Sequence, residues 1–257
     1  MRHLFSKRGD AALAATLRRR PLLAFDFDGT LAPIVARPDD ARVPTAVAAR
    51  LAWLAARLPL AVVTGRAVSD VRNRLGFSPR YIVGNHGAED GERADDASAL
   101  MRALDPLREL LFARAAALAN AGVTVEDKAL SIALHYRLSR TPDVAVALIR
   151  ELTSCLPASL QVFAGKMVVN AMAAHAPDKA DAVRHLQARS GAACVFYAGD
   201  DVNDEPVFDA ALPHWLTVRI GRDHRASRAQ YFLDSVSDMA PLLERMLAHL
   251  HTPRHPA

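Results

Sequence analysis

The stretch from Pro21 to Leu31, PLLAFDFDGTL, constrains this chain more than any other. The apolar run Leu22 to Phe25 has the pattern of a strand buried on both faces. Asp26 and Asp28 follow it, then Gly29 and Thr30. Residues two apart on a strand share a face, and Gly29 marks the point where the strand breaks into a loop. Both acids then stand beyond the carboxyl end of the strand, where open α/β sheets bind ligands. Two carboxylates this close repel unless a cation lies between them or one is protonated, and a hard divalent cation such as Mg2+ suits their oxygens. Phosphoryl transfer follows as the chemistry, with Asp26 attacking phosphorus to form an aspartyl-phosphate. Asp28 protonates the leaving oxygen and then takes a proton from water. A bare D-x-D is more often an acidic turn; the apolar strand before it and the Gly-Thr after it set this one apart.

With Gly29 and Thr30 included, these residues resemble the D-x-D-G-T signature of the haloacid dehalogenase superfamily. Its phosphatases use the first Asp as nucleophile and the second as acid/base.

At 257 residues the chain has room for one large domain or two smaller ones. The formal charge of +4 is modest, and no long Lys/Arg run points to nucleic acid. The short cluster Arg18, Arg19 and Arg20 reads as a solvated helix end. A slight positive bias suits an anionic substrate. Cys155 and Cys194 are far apart, which predicts free, buried thiols in a reducing compartment. No apolar span of membrane length or signal-peptide type stands out. The expectation is a soluble, cytoplasmic monomer with no nucleic-acid or membrane partner.

The chain alternates strands and helices at first. Helices are expected over 10–19, 44–57 and 67–75, and strands over 22–25, 60–63 and 81–83, with a breaker-rich loop at 37–44. Such alternation predicts a parallel sheet with crossover helices. The pattern then changes to a polar loop at 91–98, one long helix over 99–120, strands at 123–126 and 131–137 and a helix at 142–156. Two further strands, 160–164 and 166–170, join at Gly165. The first pattern resumes with a helix over 178–189, a strand over 192–197, a helix over 204–211, a strand over 215–218 and a helix over 236–250. Residues 251–257 read as a frayed tail. The fold class is therefore α/β, a Rossmann-like parallel sheet core with an inserted α/β cap domain. Residues 1–87 and 174–257 form the catalytic core, and 88–173 the cap for substrate recognition.

Three more segments complete the Asp26 site. Thr64 and Gly65 follow the apolar run 60–63, and the Thr64 hydroxyl and the next backbone N–H are placed to hold phosphate oxygens. Asp200, Asp201 and Asp204 follow Phe196 to Gly199, and three acids within five residues repel strongly without a cation. Lys179 opens the helix before that strand. A Thr-Gly turn, an exposed lysine and a solvated acidic loop are each commonplace alone; their order in the chain gives them weight. The superfamily resemblance makes Lys179 the residue that holds nucleophile and phosphate together. By it, Asp200 ligates Mg2+ with Asp26 and the Asp28 carbonyl, and Asp201 and Asp204 support that shell.

The inserted segment narrows the family. GNHG at 84–87, VEDK at 125–128, Ser131, HYR at 135–137 and GKMVV at 165–169 resemble trehalose-6-phosphate phosphatases from about residue 21 to the end. The resemblance implies a phosphatase acting on trehalose 6-phosphate, the last step of trehalose biosynthesis, with a mobile cap. It makes Glu126, Lys128, Arg137, Lys166 and Asn170 the cap residues that bind the sugar phosphate, and Gly65, Arg66, Asn85 and His86 their partners in the core. His135 reads as no more than a structural strand residue. Two departures stand out. The family usually carries Glu where this chain has Asn170, followed by an Arg-Pro or Lys-Pro pair that is absent here. It also usually has Lys-Gly where this chain has Lys179-Ala180. Competing readings are the same chemistry on a sucrose or mannosyl phosphate, and a sugar-phosphate-binding regulator without turnover.

Overall fold

The computed structural model describes residues 1–91, 97–222 and 226–251. The chain runs β1 (Arg2–His3), α1 (Lys7–Arg18), β2 (Leu22–Phe25), α2 (Thr45–Ala55), β3 (Leu60–Val63), α3 (Val68–Arg72), β4 (Tyr81–Gly84) and β5 (Glu89–Asp90). It continues with α4 (Ala97–Ala103), α5 (Asp105–Ala113), α6 (Ala115–Asn120), β6 (Thr124–Asp127), β7 (Ser131–His135), α7 (Pro142–Ser154), β8 (Leu160–Gly165) and β9 (Val168–Ala173). The last part holds α8 (Lys179–Ser190), β10 (Val195–Gly199), α9 (Glu205–Asp209), β11 (Leu216–Ile220), β12 (Tyr231–Leu233) and α10 (Met239–His251).

The short apolar runs become adjacent strands of an eight-stranded sheet, ordered β1-β12-β11-β10-β2-β3-β4-β5. Every pairing from β1 across to β4 is parallel. A parallel sheet needs both faces covered, so its strands read as unbroken apolar runs. Alternation sends Leu23 and Phe25 to one face, where they pack with Leu51 of α2 and Leu243 of α10. Leu22 and Ala24 face the other way, onto Val183 and Leu186 of α8. The second sheet is antiparallel, ordered β6-β7-β9-β8. One of its faces, with Ile132, Leu134 and Ala171, packs with Leu107 of α5, Leu118 of α6 and Ile149 of α7.

The chain divides into two compact units: residues up to Gly87 together with those from Asp178 onward, and Ala88–Pro177. The architecture is a Rossmann-like parallel core with an inserted α/β cap domain. Residues 174–177 fall with the inserted unit rather than with the core.

Several elements differ from the sequence expectation. The single helix over 99–120 is three helices, α4 to α6. Pro106 stands in the first turn of α5, where its missing N–H costs nothing, so it starts a helix instead of continuing one. At Arg114 the backbone leaves helical geometry, with φ −109° and ψ 13°. β9 begins at Val168 rather than 166 because the hairpin turn takes the preceding residues, with Met167 at φ 62°. β1, β5 and β12 are too short to show periodicity and were not anticipated. Cys155 is free but exposed at the end of α7; Cys194 is free and buried. Residues 92–96 of the expected loop and 252–257 of the expected tail lie outside the described residues, while Ala97 and Ser98 already belong to α4. Among the described residues no helix is long and apolar enough to cross a membrane.

Candidate active site

Four neighbouring parallel strands, β10, β2, β3 and β4, end on the same edge of the core sheet. Asp200 follows β10, Asp26 follows β2, Thr64 follows β3 and Asn85 follows β4. This is the edge at which open α/β sheets bind ligands.

Lys179 enters from the first turn of α8. A capping box between Asp178 and Asp181 sets the start of that helix, and Gly191 in the left-handed conformation ends it. The Lys179 ammonium is buried and donates to Asp26 Oδ1 and to Asp204 Oδ1, both at 2.7 Å. Asp204 also accepts from the Tyr197 hydroxyl at 2.6 Å and from the backbone N–H groups of Asp200 and Asp201, each at 2.9 Å. Every lone-pair direction of Asp204 is thus spoken for, which fixes the lysine. Asp201 instead caps the following turn through Val202 N–H at 2.8 Å. Tyr197 was read only as a strand residue; its position at the end of an apolar run carries no chemical signal.

One carboxylate oxygen from each of Asp26, Asp200 and Asp204 lies within 4.8 Å of the other two, and all three residues are buried. Burial pushes the Asp26 carboxyl well above its ordinary range; Lys179 opposes the rise, while Asp204 and Asp200 add to it. Burial pulls the Lys179 ammonium down, but Asp204 and Asp26 outweigh it and the net shift is upward. Burial also raises the Tyr197 phenol, helped by Asp204 and Asp26. One lysine cannot balance three buried acids, and a hard divalent cation fits the carboxylate oxygens of Asp26 and Asp200. Gly29 makes the convergence possible. It sits at φ 78°, and a Cβ there would fall 2.1 Å from Asp200 Oδ2. Two buried polar atoms flanking the acids in sequence, Thr30 Oγ1 and Asn203 Oδ1, have no hydrogen-bond partner among the described residues.

The Asp28 side chain is not part of this cluster. Arg66 grips it with two parallel bonds, Nε to Oδ2 at 2.7 Å and Nη2 to Oδ1 at 2.8 Å. Arg66 bonds Asp70 Oδ2 at 2.8 Å with its remaining amino group. Burial lowers the Arg66 guanidinium, yet Asp28 and Asp70 raise it further. Asp70 and its second partner, Arg74, were not among the candidate residues.

Thr64 is fully buried; its hydroxyl accepts Arg66 N–H at 3.2 Å and its carbonyl accepts His86 N–H at 2.9 Å. Asn85 and His86 hold left-handed backbone angles, φ 46° and 58°. Such non-glycine outliers cost of order 1–3 kcal/mol each and cluster at functional sites. They press the His86 ring against Gly65, where a Cβ would fall 2.4 Å from His86 Cε1.

The remaining candidates lie in the inserted unit. Cross-strand register aligns Glu126, Ala133, Asn170 and Phe163 in one row, hence on one face of the second sheet. This is the face opposite to Ile132 and Ala171. Asn170 is buried, and His135 Nε2 lies 2.8 Å from Glu126 Oε2, a partnership the strand pattern did not disclose. Lys128 opens the β6–β7 turn, its N–H bonded to Ser131 O at 2.9 Å. Arg137 Nη2 donates to the Lys166 carbonyl at 3.2 Å, joining those two candidates at the β8–β9 hairpin.

The trehalose-phosphatase family model matches residues 24–237, which include both the acidic cluster and the second sheet. The chain belongs to the trehalose-phosphatase family. A trehalose-phosphate phosphatase of Mycolicibacterium paratuberculosis is 35% identical over 255 residues, covering 90% of this chain and 63% of that protein. An uncharacterized glycosyl hydrolase of Mycobacterium tuberculosis is 39% identical over 206 residues, covering 75% of this chain but 15% of that protein. The chain thus spans less than two thirds of these relatives. The C-terminal domain of a trehalose-6-phosphate phosphatase from C. albicans shares the fold at TM-score 0.78 and 18% identity, covering 93% of this chain and 96% of that one. Membership of the trehalose-phosphatase family carries haloacid dehalogenase ancestry with it.

Proposed function

We propose that this chain hydrolyses trehalose 6-phosphate to trehalose and phosphate through an aspartyl-phosphate, the last step of trehalose biosynthesis. The observation that carries the proposal is the buried ammonium of Lys179 bonded at 2.7 Å to Asp26, beside Asp200 and Asp204. Asp26 is the nucleophile and Asp28 the acid/base. Thr64 and the Gly65 N–H hold phosphate oxygens, and Lys179 holds nucleophile and phosphate together. Asp26, Asp200 and the Asp28 main-chain carbonyl would hold Mg2+, with Asp201 and Asp204 in support. Bound there, the ion supplies neutralisation of phosphate charge. Glu126, Lys128, Arg137, Lys166 and Asn170 bind the sugar phosphate, with Asn85 and His86 as core partners. Family membership and the likeness to the trehalose-phosphate phosphatase of Mycolicibacterium paratuberculosis support the substrate. The protein acts as a cytoplasmic monomer, and its two free cysteines suit a reducing compartment.

A second reading keeps the chemistry and changes the sugar. Asn170, at a position where the resemblance leads one to expect a carboxylate, favours it. Phosphate release from trehalose 6-phosphate, sucrose 6-phosphate and glucose 6-phosphate tests both readings. It is measured on EDTA-treated protein with Mg2+ added back, alongside Asp26→Asn. The proposal expects Mg2+-dependent turnover preferring trehalose 6-phosphate and none from Asp26→Asn. Full activity in EDTA, or an active Asp26→Asn, overturns the mechanism. Preference for another sugar overturns the substrate alone. A folded protein that binds sugar phosphates without turnover would be a regulator.

A further inference from the structure

We propose that Arg66 is a positioning residue for the acid/base Asp28, held in place by Asp70 and Arg74. This rests on the roles of Asp26 and Asp28 proposed above. The Arg66 guanidinium makes four hydrogen bonds: two to Asp28, one to Asp70 Oδ2 and one to the Pro38 carbonyl at 2.9 Å. A guanidinium has five N–H donors in a fixed fork. The fork that would grip a substrate phosphate is already spent on Asp28. Arg66 is therefore arranged to orient a carboxylate and not to hold substrate, contrary to the expectation from sequence.

The second half of the device is Asp70. Its Oδ2 anchors Arg66, and its Oδ1 accepts Arg74 Nε at 2.8 Å. Arg74 is buried and also bonds Asp39, through its carbonyl and through Oδ1 at 3.1 Å. The run Asp28–Arg66–Asp70–Arg74 alternates in sign and ties the 37–43 segment to the acid/base. Arg66 is held from behind while Asp28 stays 43% exposed in its side chain, open to a reacting group.

The geometry suits both half-reactions. The first half-reaction starts from Asp28 protonated on one oxygen and released there from Arg66: as the Asp26–phosphorus bond forms and the phosphorus–sugar oxygen bond breaks, that oxygen passes its proton to the sugar oxygen and Asp28 becomes a carboxylate. The other oxygen stays on Arg66 and sets the direction of the first. As water attacks phosphorus and the Asp26–phosphorus bond breaks, the same carboxylate takes the proton of the water.

The test compares a leaving group that needs a proton with one that does not. From trehalose 6-phosphate the sugar leaves as an alkoxide unless protonated; from p-nitrophenyl phosphate the leaving group is a stable phenolate. Single-turnover rates and the nitrophenolate burst are measured for the wild type, Arg66→Met, Arg66→Lys, Asp70→Asn and Asp28→Asn. Arg66→Met should lose about 10²-fold on the sugar phosphate and only a few-fold in the burst, with KM little changed. Arg66→Lys, a point charge without the fork, should recover part of the loss. Asp70→Asn leaves Arg66 charged and does not touch Asp28; it should show a smaller loss of the same substrate-dependent kind. That variant keeps the proposal testable if Arg66→Met does not fold. Equal losses on both substrates would mean a structural role and overturn the proposal. A raised KM with kcat kept would make Arg66 a substrate contact and also overturn it. If Asp28→Asn itself spares the sugar phosphate, the acid role of Asp28 falls and the proposal falls with it.

Discussion

Lys179 and Asp26 stand 153 positions apart in the chain, yet the lysine Nζ donates to Asp26 Oδ1 at 2.7 Å in a buried setting. The contact closes the site across the inserted domain, since the lysine arrives only after the chain has returned to the core sheet. It also makes one cation common to two acids, because the same ammonium holds Asp204.

Removing that cation strands two buried carboxylates. Lys179→Met should cost about 3–5 kcal/mol, the range for breaking a buried ion pair from one side. In the double variant Lys179→Met/Asp204→Asn the second charge is gone while an acceptor remains for Tyr197 and the Asp200 and Asp201 N–H groups. Its loss should be smaller than the sum of the two single losses. Denaturant melts of the four proteins check this; strict additivity would mean that Lys179 and Asp204 do not stabilise one another.

Gly29→Ala should act on metal affinity more than on stability. The new methyl carbon falls 2.4 Å from Asp200 Cγ, and the backbone sits in the left-handed region. The conformational part is of order 1–2 kcal/mol. Asp200 is short and buried, so it must swing away from Asp26. The expected outcome is a rise of at least about tenfold in the Mg2+ concentration for half-maximal activity, matching roughly 1.4 kcal/mol of lost binding. A Mg2+ titration that is unchanged would remove Asp200 from the ligand set.

The core strands were legible because a fully buried parallel strand writes itself as four consecutive apolar residues, as in Leu22–Phe25 and Leu60–Val63. The acids were legible because they follow such runs directly. What could not be read depends on contacts between distant residues. Tyr197 looks like any strand aromatic until Asp204 folds back onto its hydroxyl. Asp70 and Arg74 look like an ordinary helix-face ion pair until Arg66 joins them to Asp28. The break between α5 and α6 at Arg114 was hidden by a composition rich in Ala and Leu, whose helix propensity is high, while the break before α5 is marked by Pro106. The two-residue β1 and β5 carry too few positions for any pattern.

Asp70 also gives a pH dependence. Burial alone would raise its carboxyl, but hydrogen bonds from Arg74 and Arg66 outweigh that and hold it below the ordinary 3.8. A folded-state value below the unfolded one means stability that is complete above about pH 4 and lost as pH falls through the folded value. Asp70→Asn should therefore destabilise by about 1.5–3 kcal/mol at pH 7, the range for hydrogen bonds to charged groups. The gap between variant and parent should narrow as pH falls below the ordinary 3.8 and close once the folded Asp70 is protonated. Thermal melts across that range check it; a gap independent of pH would mean that the Asp70 charge contributes nothing.

The proposed sugar-binding role of Asn170 can be tested by substitution. It lies on β9, 3% exposed, in register with Ala133 and on the same sheet face as Glu126. A carboxylate there would accept charge-assisted hydrogen bonds from sugar hydroxyls, worth about 1.5–3 kcal/mol each. Asn offers one neutral acceptor and a donor. Asn170→Glu should therefore raise the ratio of kcat/KM for trehalose 6-phosphate over glucose 6-phosphate by about tenfold or more, one charge-assisted bond's worth. Turnover at phosphorus, measured with p-nitrophenyl phosphate, should change little, because Asp26, Lys179 and Asp200 belong to the core unit and keep their own partners. Circular dichroism must first show that the buried glutamate is accommodated. An unchanged ratio in a folded, active variant would place Asn170 outside the recognition site and leave Glu126, held by His135, as the acidic reader of the sugar.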